Sequence, residues 1–479
     1  MRHRILLTLT LLSLALPAPL AAQQPPPAWW YFAQAGEQLV ACTPDGASVE
    51  VLLASGLQGD GAGWRLGPAS ALAVLTVDGA TGLYHLTPQA ARPLAFLPAA
   101  GQERLALSGP GDAQVLARSG SYLVLAGPWR LPSAPAYLVN LDAGTVEPLS
   151  GQVGTMQALG AWAVFSADGA LLRYLARTGP DADRWTLIER TLATGQEQTR
   201  YTLEDALPLV SPDAYGERWL YRAHDSARRV TDLLIFADGS VQTLAGDIPA
   251  AEAPQRLLFQ DSLVTYRTPC AQDCRLSLAP LDGGDPVHFP LPALEGPLQI
   301  LHRLGPARLL AQTQDGPWLL EAGAEPVRLG FWAPLAGVVA ALAVSPDGRY
   351  VLAAADSPED NPAAYRVWDA QARQVVVQVQ TGAEAAAFLN IVYDVGGFLL
   401  TRHPVGETTL YRYADGAALP LPGGENRQFF AVPPDGAVLL AQLRESAALA
   451  RGIYRFDPLA DAVQPLLAGG RPLPLRDAQ

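Results

Sequence analysis

Lysine is absent from these 479 residues, so every one of the 33 cationic side chains other than histidine is an arginine. That excludes Schiff-base chemistry and a lysine general base; an arginine-only set also fits a GC-rich genome. Positive charge is short overall, since 46 acids leave the chain at −13. A surface of that sign argues against nucleic acid and anionic membrane as partners, because both require a basic patch. Long helical periodicity is missing, with no extended window placing apolar residues at i, i+3, i+4 and i+7. After the N-terminal segment, no apolar run approaches the roughly 20 residues needed to span a bilayer.

Several catalytic signatures are missing too. No Gly-x-Ser-x-Gly elbow occurs, which leaves a serine hydrolase unsupported. A sialidase-type Ser-x-Asp-x-Gly-x-Thr-Trp box is lacking, because Ser166-Ala167-Asp168-Gly169 departs from it after the aspartate. The histidines after the leader, His85, His224, His288, His302 and His403, show no metal-ligand spacing. No metal or other cofactor is implied.

What is present begins with a targeting signal. Arg2 and Arg4 precede an apolar run from Ile5 to Leu16, followed by Pro17, Pro19 and Ala21-Ala22. This is the n-region, h-region and small-residue cleavage site of a secretory leader. We expect residues 1–22 to be removed, 23–28 to act as a short stiff linker, and 29–479 to form the folded domain. Losing two arginines takes the charge from −13 to −15. The expected location is outside the cytoplasm, secreted or periplasmic. There Cys270 and Cys274 have two readings, a local disulfide around three residues or two free thiols in a hairpin. Cys42 is left over and reads as a small apolar residue on a strand.

The domain is punctuated by one turn. Asp-Gly recurs at Asp45-Gly46, Asp78-Gly79, Asp168-Gly169, Asp238-Gly239, Asp282-Gly283, Asp315-Gly316, Asp347-Gly348, Asp415-Gly416 and Asp435-Gly436. Most follow an apolar-rich run, which is the signal for strand, tight turn, strand. The clearest unit is Val338 to Gln380. It predicts strands at Val338–Val344, Tyr350–Ala355 and Tyr365–Trp368, and a fourth carrying Val375, Val377 and Val379. Similar units begin at Trp29, Trp64, Ala113, Trp162, Leu207, Gln255, Leu298, Ala386 and Gln428. A four-stranded sheet cannot hide both faces alone, and a period of about 40 residues is that of propeller blades. The predicted fold is all-β, a single β-propeller of about eight to ten four-stranded blades. The first unit is one strand short, and Arg471 to Asp477 is expected to supply it and close the ring.

Two stretches carry a family resemblance. Ser345-Pro346-Asp347-Gly348-Arg349-Tyr350 followed by Val367-Trp368-Asp369 resembles a WD-repeat unit, and Phe236-Ala237-Asp238-Gly239-Ser240 followed by Val241-Gln242-Thr243-Leu244 is similar to the blade of TolB-type propellers. The chain departs from the WD pattern in lacking Gly-His and in having Trp-Asp once. The resemblance implies a propeller. It transfers no catalytic residue, and the binding role common in these families comes only by analogy.

In such a fold the Asp-Gly turns are expected on one face and the longer connections on the other. The long connections are Gly127 to Pro135, Gly179 to Arg184, His224 to Val230, Pro269 to Cys274, Asp356 to Ala364, His403 to Glu407 and Arg444 to Arg451. Loops on a rigid scaffold are where binding residues gather, so the candidate binding residues are Trp129, Asp181, His224, Asp356, Glu359, Asp360 and His403. Trp129, between prolines, is the candidate for stacking. The acidic residues carry no Asp-x-Asp-x-Asp-Gly pattern and read more simply as solvated loop than as a calcium site. Trp29, Trp30, Trp162, Trp219 and Trp368 are expected in the core between blades. The function expected is a non-catalytic scaffold presenting its long-loop face to a protein or cell-envelope partner. The alternative is a lyase or glycosidase with a carboxylate pair at the channel mouth; a purely structural role in the envelope is the third reading.

Overall fold

A computed structural model describes residues 29–96, 113–127, 133–154, 162–177, 184–203, 209–224, 229–313, 315–330, 343–345, 348–354, 364–380, 389–394, 397–402, 408–412, 418–421, 427–433, 435–446 and 449–477. The described residues form strands and turns without a helix, and none of them forms a helix able to cross a membrane. The strands make seven four-stranded sheets, one of five strands, and one of nine in which Gln152 and Val153 pair with Arg177 and Ala176 and so join the third and fourth units; each unit is numbered as its own sheet in chain order. The fourth unit pairs in sequence order as Ala163–Phe165, Leu171–Arg177, Trp185–Thr191 and Glu197–Leu203. The unit at Val338 to Gln380 has strands at Ala343–Val344, Tyr350–Ala354, Ala364–Asp369 and Gln374–Gln380. Expected strand residues 338–342 lie outside the described set.

The recurring turn explains why the chain folds back where it does. Ser166 donates from its hydroxyl to Asp168 Oδ1 at 2.6 Å and accepts from Leu171 N–H at 2.9 Å, while Ala170 N–H reaches Asp168 Oδ1 at 3.0 Å. Gly169 takes φ +67°, where a Cβ is disfavoured. The Ser345 turn repeats this, with Tyr350 N–H on Ser345 Oγ at 2.9 Å and Gly348 N–H on Ser345 O at 2.8 Å. The acid of the single Trp-Asp pair is structural as well. Asp369 is buried, accepts from Arg349 Nε and Nη2 at 3.1 and 2.9 Å, and caps the next turn through Gln371 and Ala372 N–H, both at 2.9 Å.

Successive sheets stack face on face. One apolar cluster joins the first and second sheets through Phe32, Leu39 and Leu75. Others run from the second to the third, and from the third through the fourth to the fifth. Further clusters link fifth to sixth, sixth to seventh, seventh to eighth and ninth to tenth. The last sheet returns to the first, with Ala431, Leu439 and Ile453 against Tyr31, Ala33 and Val40. Trp29, Trp162 and Trp219 are buried in these interfaces, while Trp30 and Trp368 pack at their margins. This is propeller packing, in which each sheet covers its neighbour's oily face.

The ring is closed by the far end of the chain. Gly470–Pro472 pairs antiparallel with Tyr31–Ala35, setting Ala33 opposite Pro472 and Ala35 opposite Gly470. The tail then crosses over, and Leu475–Asp477 runs parallel to Leu57–Gly67 at the inner edge of the second sheet. The expected closing segment is thus split between two sheets. Leu473, between the two pairings, is buried in the interface those sheets share.

Candidate functional site

Chain direction settles which connections share a face. In an up-and-down sheet the first and third turns fall at one end and the second at the other. All seven long connections named above join a second to a third strand, so they share one face. Two Asp-Gly turns were expected on the opposite face and lie on this one: Asp78-Gly79 and Asp315-Gly316 also join second to third strands. Pairing runs to the last residue there, Val77 with Ala80 and Thr313 with Gly316, which leaves room only for a tight turn.

Of the candidate residues, Trp129, Asp181, Asp356, Glu359, Asp360 and His403 lie outside the described residues. His224 ends the strand Arg218–His224, opposite Val230, with its ring exposed. Cys270 and Cys274 are joined as a disulfide. The bridge ties off an exposed three-residue loop on the same face, and Cys270 and Leu294 exchange backbone hydrogen bonds of 2.7 and 2.8 Å that hold it to the sheet. Cys42 is a free, buried thiol. Burial pushes it up to about 11, and the neighbouring Tyr31 phenol opposes the rise. Burial, and then the neighbouring Cys42, raise the Tyr31 phenol in turn.

Among the described residues the buried carboxylates Glu189, Asp232 and Asp369 are paired with arginine, and Asp213 is not. Glu189 accepts from Arg173 Nε at 2.8 Å and Arg200 Nη2 at 2.5 Å, and Arg173 also reaches Glu217 at 2.8 Å. Burial alone would raise Glu189, and the two guanidiniums outweigh it and hold the carboxyl below its usual range. Asp232 takes Arg222 through both oxygens at 2.7 and 3.0 Å and also meets Arg256. Asp213 is raised by burial, but its oxygen serves its own turn, accepting from Glu217 and Tyr215 N–H at 2.9 and 3.2 Å. Among the described residues no three His, Cys, Asp or Glu side chains gather as a metal site.

Two cavities stand out. One, of about 480 Å³, is a polar groove between the outer strands of the third and fourth sheets, lined by Ser150, Arg184, Thr186 and Glu197 among others. Glu197 is already engaged there, by Tyr174 at 2.8 Å, by Arg190 at 3.1 Å and by Ser150. The other, of about 470 Å³, lies at the closing seam. Its wall combines the first and last described segments, with Tyr31, Phe32 and Gln34 on one side, Arg471 to Leu475 on another, and Arg65, Phe429, Phe430 and Leu443 beside them. Inner strands of the first, second and tenth sheets meet there, so the cavity faces the axis. Leu443 follows the strand Val438–Gln442, which puts that end of the cavity on the long-loop face. Reading along the chain missed this site, because its parts lie more than 400 positions apart and no local pattern marks them.

No protein-family model matches the chain, and no curated protein matches it. Solved structures resemble it at low identity. A eukaryotic initiation factor is 13% identical with a TM-score of 0.46, covering 87% of this chain and 99% of its own. The propeller domain of the trilobed protease from Pyrococcus furiosus is 11% identical with a TM-score of 0.33, over 74% and 95% of the two chains. A putative TolB from Agrobacterium tumefaciens is 13% identical with a TM-score of 0.26, over 54% and 88%.

Proposed function

We propose that this protein is an exported, non-catalytic propeller that serves as a binding scaffold in the cell envelope or outside the cell. Its long-loop face takes a protein or other envelope partner. The observation that carries this reading is the placement of seven long connections between second and third strands, all on one face of a packed ring. Long loops carried at one end of a rigid frame are where binding residues gather. The arginine pairing of Glu189 and Asp232, and the use of Asp213 to hold its own turn, support the same reading, since a glycosidase or lyase needs a carboxylate left available to accept or give a proton. The leader directs the chain out of the cytoplasm, and the mature protein begins at Gln23.

The test is capture from the envelope fraction of the producing cell, using the full mature chain and a variant with 128–132 and 356–363 replaced by Gly-Ser. A partner held by the first and lost by the second, with both equally folded by circular dichroism, supports the scaffold. Retention by both, or turnover of a small molecule by the pure protein, overturns it.

A further inference from the structure

We propose that the seam cavity binds a small organic anion with an apolar body, its carboxylate or phosphate head on Arg65 and its body against Phe429, Phe430 and Leu443. Three observations carry this.

The first is shape. About 470 Å³ lies within the range of small-molecule sites, roughly 300–1,000 Å³, and the wall is mainly aromatic and aliphatic. Leu443 is 43% exposed at the long-loop end, a large apolar side chain left in water beside an apolar pocket.

The second is charge. The protein carries 46 acids and a balance of −13, yet among the described residues the cavity wall has two arginines and no aspartate or glutamate. Arg65 has no described carboxylate partner. Its guanidinium lies 4.6 Å from the centre of the Trp29 ring and reaches only the Trp30 carbonyl, at 3.4 Å. A guanidinium fixed by a ring face and one long hydrogen bond has most of its donors left to give, in the fork that suits carboxylate and phosphate.

The third is preorganisation. Gln34 Oε1 accepts from Arg471 Nε and Nη2 at 3.0 and 2.6 Å, and Gly59 O accepts from Nη2 at 2.9 Å. The second guanidinium of the wall is therefore held in one place by groups from the first and second sheets.

The geometry also couples the ligand to ring closure. The wall needs both Tyr31–Gln34 and Arg471–Leu475 in position, so the site exists only in the closed molecule. A ligand that binds only the closed state stabilises it by mass action.

The experiment uses the full mature chain with octanoate, octyl phosphate and octyltrimethylammonium, read by thermal midpoint and calorimetry. We expect saturable one-to-one binding of at least one anion with a rise in midpoint, and none with the cation. Response to octanoate alone assigns a carboxylate head, to octyl phosphate alone a phosphate head, and to both a site that accepts either. Arg65→Gln should weaken binding about tenfold or more, the loss of one charge-assisted contact, while Arg65→Lys keeps part of it. Leu443→Asp, a change at an exposed position that leaves the fold intact, should also weaken binding by placing a negative charge at the mouth. The proposal is overturned if neither anion binds, if the cation raises the midpoint equally, or if the anions bind Arg65→Gln and Leu443→Asp as they bind the native chain.

Discussion

Glu189 shows at the residue scale what the arginines do in this protein. Its side chain is 9% exposed between Arg173, itself 5% exposed, and Arg200. Removing one member of a buried ionic cluster leaves the others desolvated without a counter-charge, which costs about 3–5 kcal/mol. Glu189→Ala should therefore lower the unfolding free energy from denaturant titration by that order, and Glu189→Gln by less, because the amide oxygen still accepts. A result within error of the native chain would mean the cluster is solvated. Cys42 and Tyr31 make a second, pH-dependent prediction. Both are held protonated by burial, the thiol rising from 9.0 to about 11. Well below pH 9 both groups are protonated in either state. Above it the unfolded chain releases protons that the folded chain keeps, so stability falls as pH climbs from about 9 to about 11. Denaturation across that window should give a downward slope that shrinks in Cys42→Ala and shrinks further in the Cys42→Ala/Tyr31→Phe pair. An unchanged slope in the pair would assign the alkaline loss elsewhere.

The strand Leu57–Gly67 marks the limit of what the sequence conveys about elements. Unit starts such as Trp162, Gln255 and Leu298 were legible because apolar runs alternate with Asp-Gly turns, and the described strands begin at or within a few residues of them. The second unit was placed from Trp64, whereas its inner strand begins seven residues earlier. Leu57-Gln58-Gly59-Asp60-Gly61-Ala62-Gly63 has no apolar alternation to read. Gly63 answers to backbone rather than side chains. A Cβ on Gly63 would sit 2.0 Å from Leu72 O and 2.7 Å from Ala73 Cα, with Leu475 of the closing strand on its other side. Glycine permits that close approach, and the constraint comes from strands that are remote in sequence. Gly63→Ala should cost about 1–3 kcal/mol as overpacking against main chain that cannot yield. Gly67→Ala is the matched control, with open space around its Cβ and no strained φ. Equal melting temperatures for the two variants would refute the close-approach account.

Closure of the whole molecule depends on few residues. Three ladder pairs join Tyr31–Ala35 to Gly470–Pro472, and Leu473 anchors the tail that continues along the second sheet. The expected closing strand was legible only as a count, one unit a strand short, and its division between two sheets was not, because pairing across more than 400 residues leaves no local trace. A chain ending at Ala468 loses those pairs, buries one leucine fewer and leaves Tyr31–Ala35 as an open edge. Burial of a leucine contributes about 1.5–3 kcal/mol and each ladder bond about 1 kcal/mol, so the truncation should cost at least about 3 kcal/mol. An unpaired inner edge is also a template for association, and the truncated chain should self-associate where the full one does not. A synthetic peptide of residues 470–479 supplied in trans can occupy the vacant edge by strand addition. It should restore part of the melting temperature and suppress association, and a scrambled peptide should do neither. A truncated chain that melts with the full-length protein would place the closing contact of the ring somewhere other than Gly470–Pro472. The seam cavity, built from the same residues, would then lose the basis for its coupling to closure.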